Sequence, residues 1–484
     1  ACALIASEIK RVHEAYGPAS ILCELDGHGE TKFVHAPHGC QSRMFDLIGS
    51  YTLQTRQPDS WEGWYWGAKH MWGMDPLGQN SQMNNVIRDV AQNGDAVLFW
   101  GCDVETTPLG WGGYLASRLC YWFTELGIKQ IHISPDVNYT NAVHADKWIP
   151  VKPNTDAALQ LAIAYTWIKE GTYDQAYLDT HAVGFENFKY YVMGGEDGVP
   201  KTPKWAEAIC GVPSYTIKAL ARYWAAHAVS IAHCNGGSYI RSCYAHEPAR
   251  LEVALLGMQG LGKPGRNVVK FIEWYMYGLP SQQPAPCYSS NMTVGAAYRG
   301  WDFVQTKSFI PKTLVPKAIM GDYTPDNPLT WQGYTVAGWP REDQYTTYQY
   351  PIPGAQGIHM IWTDTPCWTT CWNGGNSMIE AIRSPKIECV VAQHIWMEND
   401  CLFADILLPI NTKYEEEDIG QDNGAAPFGL IYYEERAVEP LGESKSDWEA
   451  VGEVAKKLGV YDEFVEGKSV EDWIRVGFDG AEKP

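Results

Sequence analysis

A short, evenly apolar run that ends on glycine, Asp95–Trp100 (DAVLFW) followed by Gly101, constrains this chain most. It is too short for a helix and too uniformly apolar for a strand with one wet face. It therefore reads as a strand buried on both sides, as in a parallel sheet covered by helices. After it come the polar loop 101–108 (GCDVETTP), a helix through Leu115 to Leu126 stopped by Gly127, and a second strand, Lys129–Ile133. That βαβ order predicts a doubly wound, mainly parallel sheet with ligand loops at the carboxyl ends of its strands.

The same alternation recurs along the chain. Ser7–Tyr16 reads as a helix stopped by Gly17-Pro18, Ile21–Leu25 as a strand, His38–Gly49 as helical at its apolar end, and Asn84–Gln92 as a helix. Asn154–Glu170 is predicted as a helix capped by Asn154 or Thr155, with Asp156 at its positive end and Gly171 as its stop. A strand opens at Val229, and the helix Ala245–Met258 closes on 260–265 (GLGKPG). Between 267 and 350 periodicity fades among prolines and polar aromatics, which predicts a loop-rich insert. Order returns with the strand Gln356–Trp362, the helix Asn376–Arg383 and the strands Lys386–Ala392 and Asp405–Pro409. A last helix runs from Gly452 or Glu453 to Lys457.

At 484 residues the chain predicts two or three domains. A net charge of −20, from 37 basic and 57 acidic side chains, argues against nucleic acid or an anionic membrane surface as a partner. No apolar run reaches the length of a transmembrane segment, so the chain reads as soluble and cytoplasmic. The 13 cysteines are scattered and read as reduced thiols; Cys367 and Cys371 form a C-x3-C spacing without a second pair. The 28 Tyr and 21 Trp outnumber the 13 Phe, which suits either stiff loop packing or the walls of a polar ligand groove.

Four predicted strand ends carry small or polar loops: 101–107, 134–141, 235–241 and 363–366. Neither a G-x-G-x-x-G at a first strand nor a G-x-x-x-x-G-K-[ST] loop is present, which disfavours a nicotinamide dehydrogenase and a P-loop ATPase. His28, His35, His38 and His70 lie near Asp26, Glu30, Asp59 and Ser60 in sequence, a set suited to proton transfer or to zinc. Residues 55–67 (TRQPDSWEGWYWG) place Asp59 and Ser60 side by side in a stiff aromatic setting, without the G-x-S-x-G elbow of a triad hydrolase.

Several stretches together resemble the bis(molybdopterin guanine dinucleotide) oxidoreductases of the dimethyl sulfoxide reductase type, and among them the transhydroxylases that act on pyrogallol and phloroglucinol. They are 100–103 (WGCD), 149–159 (IPVKPNTDAAL), 256–265 (LGMQGLGKPG) and 403–417 (FADILLPINTKYEEE), and the pattern can be followed to about Gly420. The resemblance implies two interdigitated α/β domains. One comprises 1–55 plus 340–470; the other comprises 56–339, with the insert at 267–339. Residues 471–484 are then a tail or link, and an N-terminal part and a C-terminal cofactor domain are expected to be missing.

The resemblance also implies the site. Ser60 would be the ligand of molybdenum or tungsten, Asp59 an acid/base, His28 the proton carrier in preference to His35 or His38, and Tyr288 a substrate-side phenol. Cys102, Asp103, Ser134, Asp136, Thr140 and Asp156 would hold one guanosine diphosphate limb, and Thr363, Asp364, Thr365, His394 and Asp400 the other. The implied activity is hydroxyl transfer from pyrogallol toward phloroglucinol, with a small aromatic substrate, an iron–sulfur small subunit and a missing C-terminal part of the large subunit as partners. A redox enzyme of the same family acting on an N- or S-oxide or an oxyanion is the alternative, and a cofactor-free structural or assembly fragment is a third.

Overall fold

The computed structural model describes residues 1–24, 32–55, 62–72, 83–106, 115–233, 239, 244–270, 308–334, 345–364, 368–370, 374–422 and 430–482. The chain divides into two compact units. One is Ala1–Pro58, Pro284–Asp422 and Gly429–Pro484; the other is Asp59–Gln283 with Asn423–Phe428.

In chain order the strands are β1 (Ile21–Glu24), β2 (Thr52–Thr55), β3 (Ala96–Trp100), β4 (Lys129–Ser134), β5 (Lys147–Pro150), β6 (Val229–His233), β7 (Val268–Lys270) and β8 (Phe309–Pro311). They continue with β9 (Leu329–Tyr334), β10 (Tyr345–Tyr350), β11 (Met360–Thr363), β12 (Cys389–His394), β13 (Ile406–Pro409), β14 (Asp418–Asp422) and β15 (Leu430–Glu434). The first unit is built on a six-stranded sheet of order β13-β12-β11-β1-β2-β8, and the second on a five-stranded sheet of order β5-β4-β3-β6-β7. Every pairing in both sheets is parallel. The remaining strands form the antiparallel hairpins β9–β10 and β14–β15.

Both sheets are covered on both faces, and the side-chain period of two shows it directly. In the first sheet Ile21 and Cys23 point into a core shared with the helices Cys2–Tyr16, Pro37–Ile48 and Asp447–Leu458. Leu22, between them, points into the opposite core under Val315–Met320 and Gly375–Ile382. In the second sheet Ala96, Leu98 and Trp100 face one core while Val97 and Phe99 face the other. A strand with both faces buried must be apolar throughout, and all five residues of β3 are buried.

Each sheet has one place where the strand order reverses. The chain leaves β1 for β2 on one side and returns to β11 on the other; in the second sheet β3 leads to β4 one way and β6 flanks it the other way. Ligands of open parallel sheets bind at the carboxyl ends of such strands.

Several elements differ from the sequence reading. In the stretch expected as a loop-rich insert, β8 extends the first sheet and the helix Val315–Met320 covers it, while β7 ends the second sheet. These strands are edge pieces of three residues, too short to show a period. Where a tail was expected, Val470–Glu482 is a helix that buries Trp473 and Ile474 in the first unit's core. The Trp/Gly run after Ser60 is also helical, Glu62–Trp72. Its Gly63 and Gly67 face the helix His246–Met258, where an added Cβ would lie 2.6 Å from Ala245 Cβ and 2.8 Å from Ala249 Cβ respectively. The glycines therefore allow close helix approach.

Candidate functional site

The carboxyl ends of β11 and β12 gather the most informative side chains of the first unit. Thr363 closes β11 and is buried, Asp364 follows it, and His394 closes β12. His38, the second residue of the helix Pro37–Ile48, places Nδ1 2.7 Å from Asp364 Oδ2. Burial pushes the His394 imidazole down to about 4, only partly opposed by a hydrogen bond with the Asp364 main chain. Because that bond favours the protonated ring, the main chain accepts it and the ring nitrogen donates. His394 Nε2 is then left as a buried acceptor without a partner among the described residues. A buried orphan acceptor costs stability unless something fills it.

Asp400, expected beside them, is engaged within the chain. Its carboxylate accepts the main-chain N–H groups of Trp368 at 2.5 Å and Thr369 at 3.1 Å, and the Thr369 hydroxyl at 2.6 Å. It shapes the loop that follows β11.

In the second unit the loops after β3 and β4 are stitched together. Asp103 Oδ1 accepts from the Thr140 hydroxyl at 2.7 Å, and the Thr106 hydroxyl bonds its other oxygen. Burial pushes the Asp103 carboxyl up, but these hydroxyls and the main-chain N–H groups of Thr106 and Thr140 together outweigh it and hold the group below its ordinary value. Asn138 donates to the Cys102 carbonyl at 3.2 Å and also caps the helix Tyr139–His144. Ser134 donates to the Asp136 carbonyl at 2.8 Å and accepts from Asn141 at 2.8 Å. Asp136 itself is exposed, and no hydrogen bond of its carboxylate is found among the described residues.

Asp156 opens the helix Asp156–Glu170 and accepts from the buried Trp100 indole at 2.7 Å. Thr155 occupies the cap position, but its hydroxyl donates backward to the Lys152 carbonyl. Cys102 is buried at the reversal of strand order, its thiol 3.5 Å from the Ala232 carbonyl.

His28, Asp59, Ser60, Tyr288 and Thr365 lie outside the described residues, as do Cys367 and Cys371. The histidines grouped by sequence do not share one role. His35 is buried, pushed down to about 4 by burial, and meets the Glu417 carbonyl at 3.0 Å; His70 is exposed on the helix Glu62–Trp72. Among the described residues no group of three or more His, Cys, Asp or Glu could hold a metal ion, and the described cysteines carry free thiols. No helix among those residues is long and apolar enough to cross a membrane. Sequence reasoning missed His38 as the partner of Asp364 and Asn138 and Asn141 as loop staples; only the Asx position before Tyr139 signalled any of these.

In each unit taken by itself the strand ends carry acceptors of the kind that purine N–H and sugar hydroxyl groups use, the His394 imidazole and Asp364 in the first and the exposed Asp136 and Asp156 in the second, and loop main chain can meet a pyrophosphate.

A family model described as molybdopterin oxidoreductase matches residues 1–348 and 352–457. The chain is 34% identical over 513 residues to the pyrogallol hydroxytransferase large subunit of Pelobacter acidigallici, covering 99% of this chain and 58% of that one. It is 28% identical to the dimethyl sulfoxide/trimethylamine N-oxide reductase of Rhodobacter capsulatus, covering 99% of this chain and 55% of that one. Acetylene hydratase from Pelobacter acetylenicus shares the fold, with a TM-score of 0.54 at 16% identity over 99% of this chain and 60% of that one.

These matches correct the expected fold class. The likeness does not end near Gly420 but runs through 99% of the chain. The doubly wound α/β fold spans nearly all of it, and the buried helix Val470–Glu482 is part of that packing. The chain spans just over half the length of these relatives.

Proposed function

The chain belongs to the molybdopterin oxidoreductase family, with the domain architecture of an enzyme of that class, and from that premise we propose a cytoplasmic, molybdenum-dependent transhydroxylase large subunit that transfers a hydroxyl between polyhydroxybenzenes, pyrogallol to phloroglucinol. The observation that carries the reading is the buried Nε2 of His394, without a partner among the described residues, at the end of the strand next to the one that ends at Thr363 and Asp364. Such a group matches a guanine dinucleotide limb. The substrate rests on the likeness to pyrogallol hydroxytransferase being higher than that to the N-oxide reductase.

When bound, molybdenum between two pyranopterin guanine dinucleotides would supply a redox centre that is also a Lewis acid toward a phenolic oxygen. Thr363, Asp364, Thr365, His394 and Asp400 would hold one dinucleotide, directly or by shaping its loop. Cys102, Asp103, Ser134, Asp136, Thr140 and Asp156 would hold the other. Ser60 would bind the metal through its hydroxyl oxygen. Asp59 would take up and return a substrate hydroxyl proton, His28 would carry protons, and Tyr288 would hold a ring hydroxyl. An iron–sulfur small subunit is the proposed protein partner.

The test combines metal and nucleotide analysis with anaerobic product analysis. Molybdenum and guanine nucleotide near one and two per chain, and phloroglucinol formed from pyrogallol, are expected; Ser60→Ala should lower the bound metal. An intact protein with neither metal nor nucleotide would end the reading. The likeness to the dimethyl sulfoxide/trimethylamine N-oxide reductase supports a second reading, which trimethylamine N-oxide reduction without hydroxyl transfer would favour.

A further inference from the structure

Asp364 is held from two directions. Its side chain meets His38 Nδ1 at 2.7 Å, with the two side chains 0% and 13% exposed, and its main chain accepts from His394. The three residues come from the end of β11, the first turn of the helix Pro37–Ile48 and the end of β12. That set spans the reversal point between β1 and β11.

A carboxylate that accepts from a sugar hydroxyl or a purine N–H is useful only if one oxygen keeps a fixed direction. An aspartate turns freely about two side-chain bonds, and a hydrogen bond to the other oxygen removes most of that freedom. The imidazole is suited to this, because its residue stands at the start of a helix that is anchored in the core by Met44 and Phe45.

We infer that His38 is a positioning residue, whose imidazole fixes the Asp364 carboxylate for a guanine nucleotide at the carboxyl end of β11. This rests on the proposal above that the site takes such a nucleotide. A merely structural role would make His38 a clamp between helix and sheet, with stability and not affinity as its only consequence.

The two are separated by calorimetric titration of guanosine diphosphate into the full chain produced free of cofactor, alongside urea unfolding. His38→Ala is expected to weaken binding on the order of tenfold, the effect of losing a hydrogen bond to a charged group. His38→Gln, whose amide can still donate to Asp364, should stay within about threefold of the unmutated chain. In an Asp364→Asn background the alanine effect should vanish. If His38→Ala does not fold, His38→Met keeps the volume, lacks the donor and carries the same expectation. Unchanged affinity in a folded His38→Ala or His38→Met chain overturns the inference, as does an equal loss in the Asp364→Asn background. Absence of any guanosine diphosphate binding by the unmutated chain sinks the nucleotide reading and this inference together.

Discussion

Lys32 and Glu416 meet in the core, Nζ to Oε1 2.9 Å, with their side chains 0% and 3% exposed. Asp447 shares the ammonium at 3.0 Å, and the Asn411 carbonyl accepts from it at 2.9 Å. Next to it the Asp418 carboxylate accepts the main-chain N–H groups of Phe33 at 2.9 Å and Val34 at 2.8 Å. One cation therefore faces two buried acids, and the segment that follows residues 25–31 is tied to the turn before β14.

The balance of charge makes Glu416 the weak member. Burial pushes its carboxyl up from 4.5 to about 8; Lys32 pulls it down, but Asp447 and Asp418 add negative charge nearby. The folded chain therefore keeps a proton that the unfolded chain has lost between pH 4.5 and about 8. The stability this group contributes is fully present below that window and is lost as pH rises through it. Glu416→Gln should remove the loss, so its urea midpoint should gain on the unmutated chain as pH rises, by up to roughly 1.4 kcal/mol per pH unit. Parallel midpoints from pH 5 to 8 would refute the assignment.

Removing the cation is the harsher change. Lys32→Met leaves Asp447 with Gln393 at 2.6 Å as its remaining side-chain donor among the described residues. Breaking a buried pair from one side costs about 3–5 kcal/mol, and the lower end is expected because Asp447 opens the helix Asp447–Leu458, whose positive end favours an acid. Urea unfolding at pH 7 measures it. A loss under about 1 kcal/mol would mean the pair is solvated.

What the sequence made legible followed local pattern. The strand at Ala96–Trp100 and the glycine stop at Gly171 needed only composition and turn chemistry. Apolar spacing alone starts the helix Asp447–Leu458 late, at Gly452 or Glu453, although its capping box, Ser446 with Glu449, stands in plain sequence. The Trp/Gly run reads as a stiff setting and not as a helix, because its signal is the four-residue spacing of Gly63 and Gly67 and tryptophan masks it. The pairs Lys32–Asp447 and His38–Asp364 join residues 415 and 326 positions apart, which no local period reports. The strand-end loops were legible as ligand-bearing, yet which acids they consume internally, Asp103 and Asp400 in particular, depends on hydroxyl and main-chain donors that only the folded chain brings near.

The helix contact supplies a prediction with an unusual sign. In an exposed helix, glycine to alanine stabilises by up to about 1 kcal/mol. Gly67→Ala should instead destabilise by about 1–3 kcal/mol, since the new methyl would press on the His246 carbonyl and lie 2.8 Å from Ala249 Cβ. Ala249→Gly should restore part of the loss in the double variant, because it removes one of the two clashes. Urea midpoints of the four chains decide it, and a more stable Gly67→Ala chain would show that the helices stand further apart.

Acid should act through His394. Burial holds its imidazole at about 4 in place of 6.5, so the folded ring stays neutral while the unfolded ring takes up a proton. With the folded value depressed, the stability from this group is present above pH 6.5 and is lost as pH falls through about 4. His394→Gln cannot titrate, so between those limits it should lose less stability than the unmutated chain, by up to about 3 kcal/mol at the acid end. His35 and His132, pushed down to about 4 and about 3, act in the same direction in both chains and cancel in the comparison. If the two chains lose stability in parallel from pH 6.5 to 4, His394 is reaching water, and the dry acceptor at the end of β12 that a nucleotide would fill does not exist.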